Sequence, residues 1–323
     1  MDDTEQPGLG LLVPESAAAL VGLGGTLPAL VTPFNADGSL DLGALGALVE
    51  WQLQAGVQGL VPCGTTGEAG ALQGVERARV IECVARHSPP QTCILAGAGA
   101  ASTAGSLLLL QQAKDAGATC GLVVTPPYVR PSPAGLLAHY RRLADADILP
   151  IVAYNVPSRT GCDLSPGLMG QLGQHPNILG IKEASGDLNR LDEIRALAPH
   201  LVVLGGDDLT ACAFNLMGGD GVISVVANVA PQPMVEMVAQ ARAGAGLAAR
   251  RLHAELRPLM HALFVETNPV PVKAALAYLG HIQPGLRLPL VDLLPAHQTG
   301  LQAMLQAMPA LHRTATQKGS LLR

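Results

Sequence analysis

The chain has 323 residues, 49% hydrophobic and only 14% charged, which excludes a disordered chain and leaves ample material for a core. A net charge of -5 at neutral pH speaks against nucleic acid as a partner. Aromatics make up just 2%, so Val, Leu, Ile and Ala must fill the interior, as they do where parallel strands lie buried under Ala-rich helices.

The N-terminus, MDDTEQPGLGLLVPES, is acidic where a signal peptide carries positive charge, and Pro14 interrupts its short apolar run. Residues 1–23 therefore read as a loose extension of a cytoplasmic protein. Beyond them, short apolar runs alternate with longer amphipathic ones. Strands are predicted at 26–33, 58–64, 92–99, 120–126, 150–156, 178–184, 201–207 and 221–227. The segment 42–56, LGALGALVEWQLQAG, has apolar residues at three- and four-residue spacing and predicts a helix between the first two strands. Leu191, Ile194 and Leu197 predict another before the seventh run.

Eight such units match an α/β fold, a (β/α)8 TIM barrel of about 250 residues. A long doubly wound sheet shares the alternation, but no GxGxxG opens a helix after the first strand, which weakens its dinucleotide-binding version. After residue 228 only helical patterns follow, at 233–244, 246–263, 272–280 and 296–308. The expected division is a barrel over 24–228, a last barrel helix with a small C-terminal helical domain over 229–308, and a basic tail over 309–323. No breaker-free apolar stretch of about 18 residues occurs, so no membrane span is expected. The six cysteines lack CxxC spacing and the nine histidines form no HxH or HExxH pair. Buried thiols in a reducing compartment are expected, and a metal site is not.

Barrel enzymes carry their chemistry at the C-terminal ends of the strands. The unusual polar segments fall there: GTTGE (64–68), PPYVRPS (126–132), YNVPSRTG (154–161), Lys182 and GGDD (205–208). Lys182 ends the apolar run ILGIKEA, in a chain with only four lysines. An ordinary lysine, with a reference pKa of about 10.4, is protonated at neutral pH, and only the neutral amine attacks a carbonyl. An apolar barrel interior disfavours the charged form, so Lys182 suggests imine chemistry on a ketone or aldehyde. The competing reading is a lysine paired to an internal carboxylate; Glu183, on the opposite face, is not that partner. The GTTGE turn can hold a carboxylate through hydroxyls and backbone N–H groups, or can simply cap the next helix. Tyr128 and Tyr154 can relay protons, or can be packed aromatics. Arg159 can grip a second carboxylate, or can be an exposed loop residue.

Taken in order, GTTGEAGAL, TPPYVRPSPAGL, YNVPSRTGCDL, GIKEASGDL, GGDD, GVISVVANV and ETNPVPVKAAL resemble the dihydrodipicolinate synthase and N-acetylneuraminate lyase family, from about residue 25 to residue 305. The arginine in YNVPSRTG is the form of the synthase branch. The resemblance implies a pyruvate-dependent barrel enzyme with no cofactor or metal. Lys182 matches the Schiff-base lysine, Tyr154 the proton-relaying tyrosine, and Thr65 the threonine linking it to a second tyrosine. Tyr128 matches that second tyrosine, which in the family enters a neighbouring subunit's site. Thr66 matches a residue that helps hold pyruvate, and Gly206 and Ile223 match backbone positions lining the pyruvate site. Arg159 matches the residue receiving the carboxylate of aspartate semialdehyde, and the family suggests a homotetramer built from two tight dimers. Relatives that bind lysine at the dimer interface use a histidine, an asparagine, a glutamate and a tyrosine. The matching positions are Gly74, Ala101, Gly105 and Pro127, so weak or absent lysine feedback is expected. The alternatives are another pyruvate-dependent aldolase, acting on a sialic acid or a keto-deoxy sugar acid, and a keto-acid sensor. The intact lysine and tyrosines speak against the sensor.

Overall fold

The computed structural model describes residues 22–308; the tail and nearly all of the N-terminal extension lie outside the described residues. Strand β1 (Gly25–Pro28) leads to helix α1 (Leu42–Gln54), β2 (Gly59–Leu60) to α2 (Gly74–Arg86), and β3 (Cys93–Gly97) to α3 (Thr103–Asp115). Strand β4 (Cys120–Val124) leads to α4 (Pro133–Asp145), and β5 (Ile151–Asn155) to the short α5 (Pro157–Thr160) and α6 (Pro166–Leu172). Then come β6 (Ile178–Glu183) and α7 (Asn189–Leu197), β7 (Val202–Gly205) and α8 (Ala211–Leu216), and β8 (Gly221–Ser224) and α9 (Pro231–Arg242). Helices α10 (Gly246–Ala262), α11 (Val270–Tyr278) and α12 (Pro295–Ala307) complete the described chain.

All the strand pairs are parallel, in the order β1-β8-β7-β6-β5-β4-β3-β2. A parallel bridge between Ala29 and Val61 joins the two ends, and the Val61 N–H donates to the Pro28 carbonyl at 3.0 Å. The sheet is thus the expected barrel. Its strands are shorter than the apolar runs, because the last residues of each run leave the ladder to build the rim.

Strand alternation sorts the apolar residues into layers. Leu27, Leu95, Leu122, Val152, Leu204 and Ile223 fill the barrel, while Ile94, Val123, Ile151, Ile181 and Val203 pack outward under the helices. A third cluster joins β8 to α9, α10, α11 and α12, so the C-terminal helices share a core with the barrel. Serines 102, 132 and 165 each cap a helix by accepting a backbone N–H, which starts α3, α4 and α6 just past the rim. Leu191 and Ile194 are buried as their spacing predicts, but Leu197 is exposed at the end of α7. No helix among the described residues is long and apolar enough to cross a membrane.

Candidate active site

Tyr154 and Lys182 are register partners on neighbouring strands β5 and β6, and both point into the barrel. The Lys182 ammonium lies 4.3 Å from the centre of the Tyr154 ring, and the residue is only 7% exposed. Among the described residues it has no ion-pair partner. Glu183, next in sequence, faces outward as expected. It accepts from Arg190 Nε at 3.1 Å, Asn155 Nδ2 at 3.1 Å and the Ser185 N–H at 2.6 Å. The lysine stem fits because residue 206 is glycine: a Cβ there would stand 3.0 Å from Lys182 Cε and 2.5 Å from Ala184 Cβ. The Gly206 N–H donates to the Glu183 carbonyl at 2.7 Å, which fixes this approach.

The GTTGE turn leaves β2 and folds over the barrel mouth. Gly67 N–H donates to Gly64 O at 3.1 Å, Glu68 N–H to Thr65 O at 3.1 Å, and Thr32 Oγ1 to Gly67 O at 2.7 Å. These bonds hold both threonines at the mouth. Thr65, Thr66, Tyr154, Arg159, Lys182 and Gly206 line one cavity of about 350 Å3. A second, of about 400 Å3, shares Thr65, Tyr154 and Arg159 and runs between the turn and the C-terminal segment, past Arg77, Asn268 and Arg287. Six of the eight expected residues thus converge.

The other two do not. Tyr128, with φ of 73°, is 93% exposed on the loop after β4 and lines neither cavity. Ile223 is buried inside the barrel one layer down, and Val225 takes its place at the cavity wall.

Several polar residues around the site, some of them inside the motifs quoted above, had no individual role assigned. Lys273 on α11 is 2% exposed and pairs with Glu68 at 2.6 Å, donates to Thr32 O at 2.9 Å, and sits 4.2 Å from the centre of the Phe34 ring. The Arg287 N–H donates to the other Glu68 oxygen at 2.9 Å, and its guanidinium grips Glu76. That guanidinium holds the Glu76 carboxyl down at about 2. The rarity of lysine could have singled out Lys273. Asn268 donates to Thr66 Oγ1 at 2.9 Å. At the end of β7, Asp208 accepts from Ser224 Oγ at 2.5 Å and from the N–H groups of Val225 and Val226. Burial nevertheless pushes its carboxyl up to about 6.

Of the four positions matched to lysine binding, Gly74 lines a cavity of about 410 Å3, together with Leu108, Leu109 and Gln112 and with Arg77 as its one charged group.

The sequence model of the Dihydrodipicolinate synthetase family matches residues 22–308. The chain is 46% identical to the 4-hydroxy-tetrahydrodipicolinate synthase of Methylococcus capsulatus over 285 residues, 88% of this chain and 98% of that one. It is 45% identical to the Pseudomonas aeruginosa enzyme of the same name over 286 residues, again covering 88% and 98%. Among solved structures it is similar to the chloride-inhibited dihydrodipicolinate synthase of Acinetobacter baumannii, complexed with pyruvate. That match has a TM-score of 0.87 and 42% identity, covering 89% of this chain and 99% of that one. A monomeric dihydrodipicolinate synthase variant superposes with a TM-score of 0.88 at 39% identity, covering 91% and 99%. A barrel with a buried lysine beside a tyrosine, under a threonine turn, over nearly the full length of such relatives, leaves one assignment: the chain belongs to the dihydrodipicolinate synthetase family.

Proposed function

We propose that this enzyme, a 4-hydroxy-tetrahydrodipicolinate synthase, condenses pyruvate with L-aspartate 4-semialdehyde in the cytoplasm and is insensitive to lysine. The observation that carries the chemistry is Lys182, buried against Tyr154 with no carboxylate partner among the described residues. The amine attacks the pyruvate ketone, and loss of water gives an imine. Tyr154 hands protons to and from the leaving oxygen, and Thr65 aligns it. Thr66 holds the pyruvate carboxylate, with Gly206 giving the stem of the imine its room. Loss of a methyl proton yields an enamine, whose carbon attacks the semialdehyde while Arg159 grips that substrate's carboxylate. The substrate amine then attacks the imine carbon, closes the ring and frees Lys182.

Arg159 favours this aldehyde over a sugar aldehyde, which needs hydroxyl partners more than a carboxylate clamp. Lysine insensitivity rests on Gly74, Ala101, Gly105 and Pro127, which offer no polar side chain, and on the adjoining cavity. A lysine ammonium there would meet Arg77 rather than a carboxylate. The exposure of Tyr128 at the rim suits its delivery to a second subunit's site, and with it a homotetramer of two tight dimers.

The test is steady-state condensation by the purified protein, with and without lysine. Turnover with aspartate semialdehyde, unchanged by low-millimolar lysine, is expected. Inhibition would overturn the reading of the interface, and no turnover would overturn the choice of aldehyde.

A further inference from the structure

Asn268 lies 202 residues from Thr66 in sequence, yet its amide donates to the Thr66 hydroxyl at 2.9 Å. This is the only hydrogen bond of the amide among the described residues, and its Oδ1 is buried without a partner. The residue is 8% exposed and lines both cavities of the site. A buried amide with one satisfied bond is a poor way to stabilise a fold, because the unpaired oxygen forfeits its hydration. The bond does have a chemical consequence. A hydroxyl has one hydrogen to donate, and an oxygen that already accepts from an amide presents that hydrogen elsewhere. Thr66 makes no other side-chain hydrogen bond among the described residues, and the cavity lies beside it.

We propose that Asn268 is a positioning residue that turns the Thr66 hydroxyl into a donor for the pyruvate carboxylate; this rests on the role given to Thr66 above. The C-terminal helical segment thereby sets the substrate-binding polarity of a turn built at the opposite end of the chain. Lys273 and Arg287, both bonded to Glu68 in the same turn, keep the two segments in register.

The test compares Asn268→Ala, Thr66→Val and the double variant. Asn268→Ala should lower kcat/KM for pyruvate about tenfold, the worth of one hydrogen bond, with KM for the aldehyde unchanged. The double variant should fall no further than Thr66→Val alone, because the amide acts only through that hydroxyl. Borohydride trapping on Lys182 supplies a second readout. Asn268→Ala should weaken trapping with pyruvate but not with a methyl ketone lacking the carboxylate. This reads pyruvate alone, so a wrong second substrate leaves its result standing. Asn268→Asp keeps the shape if the alanine variant unfolds. Its carboxylate would accept the Thr66 hydrogen, so the loss should exceed that of the alanine. Full additivity in the double variant, an equal loss with the simple ketone, or a milder aspartate variant overturns the inference. Unaltered pyruvate kinetics in Thr66→Val overturns the role of Thr66 and the inference with it.

Discussion

Two of the three lysines among the described residues are buried, and they answer in opposite ways the question a buried ammonium poses. Lys273, on α11, faces the barrel with Glu68 at 2.6 Å, a backbone carbonyl and an aromatic face around it. Its charge is paired with a buried carboxylate, and the pair ties the C-terminal helices to the GTTGE turn. Lys182 lies inside the barrel with an aromatic ring and a cavity, and no carboxylate partner among the described residues. A charge left so is tolerated only where the group is useful, since desolvation is not offset by pairing. Burial alone does not mark a reactive lysine. Burial without a counter-ion, facing a cavity, is what supports the role proposed for Lys182.

If that contrast is right, replacing each lysine should damage a different property. Lys182→Ala should reduce turnover by roughly a thousandfold or more, abolish the borohydride adduct with pyruvate, and leave the unfolding free energy within about 1 kcal/mol of the parent. Retained adduct formation in that variant would break the comparison at its centre. Lys273→Met should do the reverse in kind. It leaves the buried Glu68 carboxylate with the Arg287 N–H but without its counter-ion, so denaturant unfolding should show a loss of about 3 kcal/mol, partly restored by adding Glu68→Gln. Equal stability of parent and single variant would mean that the pair holds nothing together.

Asp208 is another buried ionisable group and sharpens the contrast, because it is held by a hydroxyl and two backbone N–H groups and by no cation among the described residues. Burial raises its carboxyl from 3.8 to about 6, so the folded chain holds this proton more tightly than the unfolded one. The resulting stability is fully present below about pH 4 and is lost as the pH rises through about 6. By linkage it amounts to no more than about 3 kcal/mol. Asp208→Asn should remove this slope, so the parent-minus-variant stability, followed by urea unfolding from pH 4 to 7, should decline with pH. A difference that rises with pH would show that the three donors outweigh burial.

The repeating strand-and-helix order and the place of Lys182 in it were legible from local pattern. Strand alternation repeats every two residues, so Lys182 inside and Glu183 outside follow from the run ILGIKE alone. Tyr154, Arg159 and the GTTGE turn were readable because barrel rims collect the polar residues that interrupt apolar runs. The supports around them were not. Glu68 meets Lys273 across 205 residues, and Thr66 meets Asn268 across 202. Within the segment 266–273, ETNPVPVK, nothing local says which residues face the turn. Only closure of the ring and docking of α11 bring the two ends together. The same holds for Tyr128, whose exposure depends on where the rim loop lies rather than on its own neighbours. Local pattern by itself pointed to a repeating α/β fold and singled out Lys182 at the end of an apolar run, because periodicity and rarity are properties of short segments. Tertiary structure decided which buried charge is paired and which hydroxyl is aimed, because a counter-ion or a hydrogen-bond partner acts over a few ångströms of space and can come from any distance along the chain.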